Sequence, residues 1–287
     1  MNHVKQGIPV MSGEPDRALV TDIGGTHIRS GFTWCGEAQV CLRTPPRRGE
    51  ILECIVESIS TAVGISAEKP SRLIVGCPGL VDRHGQVHKA LYLDIAGVNL
   101  RTMLEDRFCT PTQVMNDANL QSLAFARRFH TALYVVFGTG VGGAVVSAGR
   151  IVEGRSGFAG EYGHLHVPGC TTPCACGRLG CVDAIAAGVS LVRRFGESWW
   201  VEPTEDRLQS LQKLAAECGH VADNVARFLD CDGVIVAGHL ASYNAFREGF
   251  ISAHLRDSSQ CEVVFQPRTW PLALQGAQAL IAAEGRI

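Results

Sequence analysis

Four of the twelve cysteines and two of the ten histidines fall within residues 163–181, which read GHLHVPGCTTPCACGRLGC. Three thiolates and one imidazole are a donor set that suits tetrahedral Zn2+, and a short glycine-containing loop can wrap such a site. Four protein ligands leave no open coordination position, so the spacing predicts a structural zinc site rather than a catalytic one. The predicted ligands are His164, Cys174, Cys176 and Cys181, with His166 and Cys170 as further candidates.

Two other uses of this cysteine cluster are disfavoured. Redox pairs have the spacing Cys-x-x-Cys, whereas a single residue separates Cys174 from Cys176. Structural disulfides are rare in the cytosol, and residues 1–16 contain no apolar stretch of signal-peptide length. The chain is therefore predicted to be cytoplasmic, and the eight cysteines outside the cluster are predicted to be small buried hydrophobic residues.

Two glycine-rich turns between predicted strands form a second candidate site. DIGGT at 22–26 and FGTGVGG at 137–143 let the backbone approach a phosphate closely, and Asp22 can hold Mg2+ directly or through water. The first turn lacks the lysine of a Walker A loop, and a strand rather than a helix follows the second. Ordinary hairpin turns are the alternative, but two opposed turns could clamp a polyphosphate from both sides.

NDANLQSLA at 116–124 places a carboxylate where a strand changes into a helix. Asp117 could accept the proton of a hydroxyl that attacks a phosphoryl group, and Asn116 could bind the same substrate. The alternative is that Asp117 only caps a helix beginning at Ala118. A third group, Glu161 and His164, lies among glycines at 157–167, where neither side chain is needed for a core.

The elements that position these residues alternate between strands and helices. Strand, glycine turn and strand occur at 18–34 and again at 131–147, and each copy is followed by further helices and buried strands. This partial repeat predicts a duplicated α/β fold with mixed sheets and a ligand cleft between the halves. Residues 1–17 are predicted to be a flexible leader.

The composition excludes several classes of protein. The 287 residues are 46% apolar and 19% charged, with a formal net charge of -2, a balance typical of globular proteins. The chain has no long basic run, so neither nucleic acid nor an anionic membrane is the predicted partner. Its apolar runs are far shorter than the roughly 20 residues of a membrane-spanning helix.

The order DxGGT, GxPGxVD, NDAN, GTGxGG, GExGH, CxCGxxGC and VIVAG resembles the ROK family of repressors, open reading frames and kinases, from about residue 18 to the end of the chain. The resemblance implies the actin-like ATPase (ribonuclease H-like) fold. It implies an N-terminal domain at 18–115, joined by a C-terminal helix at about 272–287, and a C-terminal domain with the zinc-binding loop at 116–271. Family enzymes transfer the γ-phosphoryl group of ATP to a sugar hydroxyl, usually at carbon 6. A homodimer or homotetramer is implied as well.

The resemblance also implies residue roles. Asp117 matches the catalytic base, and one ring nitrogen of His164 would bind zinc while the other donates to the sugar. The positions that match the sugar site are Gly79, Asn116, Asp117, Glu161, His164 and Asp183. Those that match the ATP site are Asp22, Gly24, Gly25, Thr26, Gly138, Thr139, Gly140 and Gly238.

Several departures from the family pattern bear on the substrate. Asp183 replaces a usual Glu, Leu91-Tyr92-Leu93 replaces a Pro-Asn-Leu segment near the sugar, and His239 replaces a glycine of the adenosine motif. The strings THIR and NLQ resemble the allose kinases of the family. We therefore predict a kinase of an aldohexose such as glucose or allose. The alternatives are an N-acetylmannosamine, N-acetylglucosamine or fructose kinase, a sugar-responsive transcription regulator, and a catalytically weak sugar-binding protein.

Overall fold

The computed structural model describes residues 17–197, 204–254 and 261–284, so residues 1–16 of the predicted leader lie outside the described residues. The strands are β1 (Ala18–Ile23), β2 (His27–Phe32), β3 (Val40–Arg43), β4 (Arg72–Cys77), β5 (Leu80–Val81), β6 (Val87–Lys89), β7 (Thr112–Asn116), β8 (Thr131–Phe137), β9 (Val141–Ser147), β10 (Arg150–Ile151), β11 (Gly233–Gly238) and β12 (Glu262–Gln266). The helices are α1 (Arg48–Ser66), α2 (Leu100–Phe108), α3 (Asp117–Ser122), α4 (Val182–Ala186), α5 (Gly188–Phe195), α6 (Glu205–Leu229), α7 (Asn244–His254) and α8 (Trp270–Glu284). Across these ranges, no helix combines the length and the apolar character that crossing a bilayer requires.

Two five-stranded sheets share one plan. The first has the order β3-β2-β1-β4-β7 and the second the order β10-β9-β8-β11-β12. In each sheet an antiparallel hairpin, β1–β2 or β8–β9, leads to two parallel neighbours. The predicted α/β class with duplicated mixed sheets is therefore confirmed, and the two glycine turns occupy equivalent places.

Ile51, Ile55 and Ile59 recur every four residues, a spacing that predicts one apolar helix face, and helix α1 covers the first sheet with this face. Ile51, Ile55 and Ile59 are fully buried in the core of that sheet, and each such side chain contributes about 1.5–3 kcal/mol by leaving water. Helix α2 begins after Asn99, whose side chain accepts a hydrogen bond from the amide of Thr102 at 3.0 Å. Asparagine is a favoured N-cap residue, so the sequence predicts a cap at Asn99, and this hydrogen bond confirms it.

Helix α8 packs on the first sheet and on α3. Trp270, Ala273, Leu274 and Ala277 form one buried cluster with residues of β1 and β4. Gly276 approaches the backbone so closely that a Cβ there would lie 1.8 Å from the carbonyl oxygen of Leu120. This contact holds α3, the helix that begins at Asp117, against the sheet.

The prediction for the scattered cysteines is right at four positions and wrong at three. Cys54, Cys77, Cys218 and Cys231 are buried, whereas Cys261 is half-buried. The exposed residues are Cys35, Cys41 and Cys109. They lie in the turn after β2, in the edge strand β3 and at the C-cap of α2, where the backbone position leaves no core to enter.

Candidate active site

A cavity of about 890 Å3 lies between the two sheets. It brings together residues that are far apart in the chain, because the ends of equivalent strands of both sheets meet there. The predicted sugar-site and ATP-site residues that line it are Asp22, Gly24, Gly25, Thr26, Gly79, Asn116, Asp117, Gly138, Thr139, Gly140, Glu161, His164, Asp183 and Gly238. Every predicted residue of these two groups therefore borders one cavity.

The two glycine turns contact each other across this cavity. A Cβ on Gly25 would lie 2.8 Å from Oγ1 of Thr139, closer than real Cβ atoms approach, so a larger residue at position 25 would push against the Thr139 side chain. The start of helix α5 holds the second turn in place. The amides of Gly188 and Val189 donate to the carbonyl oxygens of Gly138 and Thr139 at 2.9 and 3.2 Å. The backbone of both turns is thus set in place at a narrow gap.

Asp22 lies at the end of β1 and is only 4% exposed. Its Oδ1 accepts a hydrogen bond from Nε2 of Gln121 at 3.3 Å, and Oε1 of Gln121 accepts one from the Tyr134 hydroxyl at 2.7 Å. Burial raises the pKa of Asp22 to about 6, although Arg29 on the neighbouring strand lowers it. A carboxylate buried in this way is stabilised by a cation.

Asn116, and not Asp117, caps helix α3. The side-chain oxygen of Asn116 accepts a hydrogen bond from the amide of Asn119 at 3.1 Å, and the helix begins at Asp117 rather than at Ala118. The alternative in which Asp117 is the helix cap is therefore wrong. One oxygen of Asp117 accepts the amide of Ala118 at 2.9 Å.

The surroundings of Asp117 suit proton transfer near neutral pH. Burial is the largest cause that raises the pKa of this carboxyl to about 7; the negative charges of Asp22 and Glu161 act in the same direction, while the Ala118 amide acts against them. A base with this pKa is ionised in a large fraction of molecules and still binds a proton well.

Gly79 belongs to a tight loop that Asn116 holds. Nδ2 of Asn116 donates to the carbonyl oxygen of Gly79 at 3.0 Å. The residue has a φ of +106°, and a Cβ would lie 2.1 Å from the carbonyl oxygen of Lys89, so both the backbone angle and the space favour glycine. Asn116 therefore links the start of α3 to this loop.

Glu161 and His164 face each other beside a short 3₁₀ helix, Tyr162–His164. Nε2 of His164 lies 4.0 Å from Oε2 of Glu161, with side-chain exposures of 16% and 38%. Nδ1 of His164 lies on the opposite side, 3.8 Å from Sγ of Cys174. The imidazole thus presents one nitrogen to the thiols and the other to the cavity.

The four predicted zinc ligands are assembled. The ligand atoms of His164, Cys174, Cys176 and Cys181 all lie within 4.8 Å of one another. The two sulfur atoms of Cys176 and Cys181 are 3.7 Å apart, close to the edge of a tetrahedron built on zinc–sulfur bonds of about 2.3 Å. The donor set and its size therefore fit zinc, whereas His166 and Cys170 do not belong to this group of four.

Asp183 begins the first turn of α4 and is only 2% exposed. Its Oδ1 accepts the amide of Val141 at 2.8 Å, and its Oδ2 accepts the hydroxyl of Tyr92. Sγ of Cys174 lies 3.9 Å from the same Oδ2. Direct sugar binding by Asp183 stays a prediction, and its carboxylate is already engaged by protein donors.

Three further residues of the cavity were not assigned a role from the sequence. Gln121 donates a hydrogen bond to Asp22. The sequence clue to this role was a polar residue one helical turn after Asp117. The sequence around Tyr92 indicated no role for it, except that this tyrosine stands where the family pattern has asparagine. His239, which replaces a glycine of the adenosine motif, lines the cavity, and its Nε2 lies 3.0 Å from the Tyr243 hydroxyl.

Comparisons with known proteins agree on one family. The model of the ROK family matches residues 19–280. A glucokinase of Halalkalibacterium halodurans is 30% identical over 240 residues, which cover 78% of this chain and 73% of that protein. An N-acetylmannosamine kinase of Citrobacter koseri is 27% identical over 242 residues, covering 78% and 79%.

A solved structure shows the same fold. A ROK family glucokinase from Streptomyces griseus, in complex with glucose and AMPPNP, has a TM-score of 0.80 and 23% sequence identity. The alignment covers 92% of this chain and 98% of that one. The predicted α/β fold of the actin-like ATPases is thereby confirmed.

Proposed function

The chain belongs to the ROK family, and from this premise we propose that it is an ATP-dependent sugar kinase acting on a hexose hydroxyl. One observation carries the proposal. A carboxylate with a pKa of about 7, Asp117, borders the same cavity as two glycine turns in mutual contact. A base beside backbone turns that can bind phosphate is the arrangement that phosphoryl transfer requires.

Asp117 is the proposed general base. Its carboxylate accepts the proton of the sugar hydroxyl as that oxygen forms a bond to the γ-phosphorus, and the bond from this phosphorus to the bridging oxygen of ADP breaks. The other oxygen of the carboxyl is held by the Ala118 amide, so the base has a defined orientation. The 6-hydroxyl of an aldohexose such as glucose or allose is the proposed acceptor.

The sugar is held beside Asp117. Asn116, Glu161 and His164 offer an amide, a carboxylate and an imidazole nitrogen to its hydroxyls, and the Gly79 loop borders it. Asp183 lies at the edge of the same region. Hydrogen bonds of this kind orient the reacting hydroxyl, which lowers the entropic part of the barrier.

The phosphates are held by the glycine turns. The turn of Gly24, Gly25 and Thr26 lies against the turn of Gly138, Thr139 and Gly140 at the cavity, while Gly238 borders the nucleotide. Asp22 would hold Mg2+, which neutralises phosphate charge when bound. The raised pKa of Asp22 supports this, because a buried carboxylate is stabilised by a cation.

Zinc is the proposed structural metal. His164, Cys174, Cys176 and Cys181 would hold it, and it would supply a fixed point for the loop rather than a reaction step. We expect about one zinc per chain by elemental analysis of freshly purified protein. Cys176→Ser is expected to lose zinc and sugar affinity together, and Cys35→Ser is the matched control because that thiol is exposed outside the cluster. Freshly purified protein without zinc would contradict this assignment.

A coupled assay of ADP release tests the function. Glucose, allose, mannose, fructose, N-acetylglucosamine and N-acetylmannosamine should be compared with saturating ATP and Mg2+. We expect sugar-dependent ADP release with a plain aldohexose. Calorimetric sugar binding without ADP release would favour a sugar-binding protein instead, and activity only with N-acetylated sugars would change the acceptor.

A further inference from the structure

Tyr92 reaches across the cavity from one sheet to the other. It lies in the loop between β6 and α2, and this loop is anchored in the core of the first sheet by Leu93 and Ile95. Its hydroxyl donates a hydrogen bond to Oδ2 of Asp183, 91 residues away in the chain. Both residues line the cavity.

The ring of Tyr92 packs on the second glycine turn. A Cβ on Gly140 would lie 2.6 Å from Cε2 and 2.9 Å from Cδ2 of Tyr92. The ring therefore forms a wall directly beside the turn that precedes Val141. Tyr92 is half-buried and lines the cavity, so part of its side chain is open to a ligand there.

Asp183 is occupied and hidden, whereas Tyr92 is accessible. The carboxylate is 2% exposed and accepts the Val141 amide and the Tyr92 hydroxyl, one on each oxygen. A hydroxyl that donates its proton keeps lone pairs on its oxygen. Tyr92 can therefore accept a hydrogen bond from a ligand in the cavity while its own proton remains on Asp183.

We propose that Tyr92 contacts the sugar at this edge of the cavity and that Asp183 is a positioning residue that acts through Tyr92. Asp183 orients the Tyr92 hydroxyl as an acceptor and holds the Val141 amide beside the second glycine turn. This inference rests on the proposed sugar-kinase function. It reassigns the sugar contact from the buried carboxylate to the tyrosine that covers it.

The test is a double-mutant cycle on Tyr92→Phe and Asp183→Asn, with the sugar that gives the wild-type enzyme its highest activity. We expect Tyr92→Phe to raise the KM for sugar about tenfold, the scale of one lost hydrogen bond, with kcat and the KM for ATP within about twofold. In Asp183→Asn the side-chain oxygen can still accept the Val141 amide, but the group that faces the Tyr92 hydroxyl becomes an NH2, which donates a hydrogen bond instead of accepting one. This variant is therefore expected to raise the KM for sugar similarly and to leave the KM for ATP unchanged.

The double variant decides between direct and indirect action. If Asp183 acts through Tyr92, the double variant has the same KM for sugar as Tyr92→Phe alone. If Asp183 binds the sugar itself, the two effects multiply, and that result would overturn the inference. Ser190→Ala is the matched control, because it removes a 3.1 Å hydrogen bond to the backbone oxygen of Asp183 and leaves the carboxylate intact.

Failure of the inference is distinguishable from failure of the proposed function. A wild-type enzyme that phosphorylates a sugar, together with a Tyr92→Phe variant of unchanged KM for sugar, overturns only the inference. A wild-type protein that neither binds a sugar by calorimetry nor releases ADP overturns the kinase proposal and the inference together.

Discussion

Two hairpins face each other across the cavity, and they can be compared residue by residue. In β1–β2, Asp22 lies two positions before the first turn glycine, Gly24. In β8–β9, the residue two positions before Gly138 is Val136, which also lines the cavity. The hairpins share strand order and parallel neighbours, but only the first carries a carboxylate.

The same contrast appears at the outer parallel strands. Strand β7 of the first sheet leads into Asn116 and Asp117, whereas β12 of the second sheet leads into Pro267 and Arg268. At these equivalent positions the first sheet therefore supplies Asp22 and Asp117, whose pKa values are raised, whereas the second sheet supplies Val136 and Arg268. The two hairpins thus share one backbone plan and differ in the side chains that occupy equivalent positions beside the cavity.

Asp117→Asn is expected to have the largest effect. It removes the proposed base, so kcat should fall at least about 100-fold, the scale of lost general-base catalysis. Sugar binding by calorimetry should be largely intact, and α3 keeps its cap because Asn116 provides it. Turnover within a few-fold of the wild-type enzyme would remove Asp117 from this role.

A stability measurement accompanies this variant. The pKa of Asp117 is raised in the folded state, so the stabilisation from its neutral form is lost as the pH rises through about 7. Asn carries no charge, and we therefore expect the variant to melt no lower than the wild-type protein at pH 8. A lower Tm there would mean that the loss of activity reflects unfolding.

Asp22→Asn tests the first hairpin against the second. Loss of the proposed Mg2+ ligand should lower kcat by about 10- to 100-fold, as for other charge-stabilising groups, and should raise the Mg2+ concentration needed for half-maximal rate. Val136→Ala, the equivalent position of the second hairpin, should stay within about threefold. Equal losses of kcat in Asp22→Asn and Val136→Ala would contradict the proposed difference between the two hairpins.

The pH dependence of kcat/KM tests whether Asp117 is the base. Since Asp117 must be ionised to accept a proton, kcat/KM should rise with pH through about 7, by about tenfold between pH 6 and pH 8. The negative charge of Asp22 raises the pKa of Asp117, so Asp22→Asn should move the profile to lower pH. A profile that falls with pH, or that does not move in this variant, would contradict the pairing of the two carboxyls.

Gly25→Ala is expected to have the smallest effect, several-fold on the KM for ATP. The added Cβ would meet the Thr139 side chain at 2.8–2.9 Å and force the two turns apart. Thr139→Gly in the same chain should restore part of the affinity. Gly49→Ala, where a Cβ meets nothing within 4 Å, is the control. If adding Thr139→Gly to Gly25→Ala does not lower the KM for ATP, the contact between the two turns is not the cause of the weaker ATP binding.

Local signals allowed much of the molecule to be predicted. The cap at Asn99, the apolar face of α1 and the strand-to-helix change at Asn116 depend on neighbouring residues, and each is present as expected. The zinc ligands lie within eighteen residues of one another, His164 to Cys181, so their spacing alone was informative. Exposure of Cys41 was missed, because only the sheet order shows that β3 is an edge strand.

By itself, the sequence determined which residues could carry chemistry and that two similar hairpins would hold them, because residue type and local periodicity are written along the chain. Only the tertiary structure decided that Asp22 meets Gln121, that Tyr92 meets Asp183 and that Gly25 meets Thr139. These pairs are separated by about a hundred residues, and their contact depends on how two sheets and α8 pack. The raised pKa of Asp117 has the same origin, since burial and the charges of Asp22 and Glu161 exist only once those distant segments are assembled.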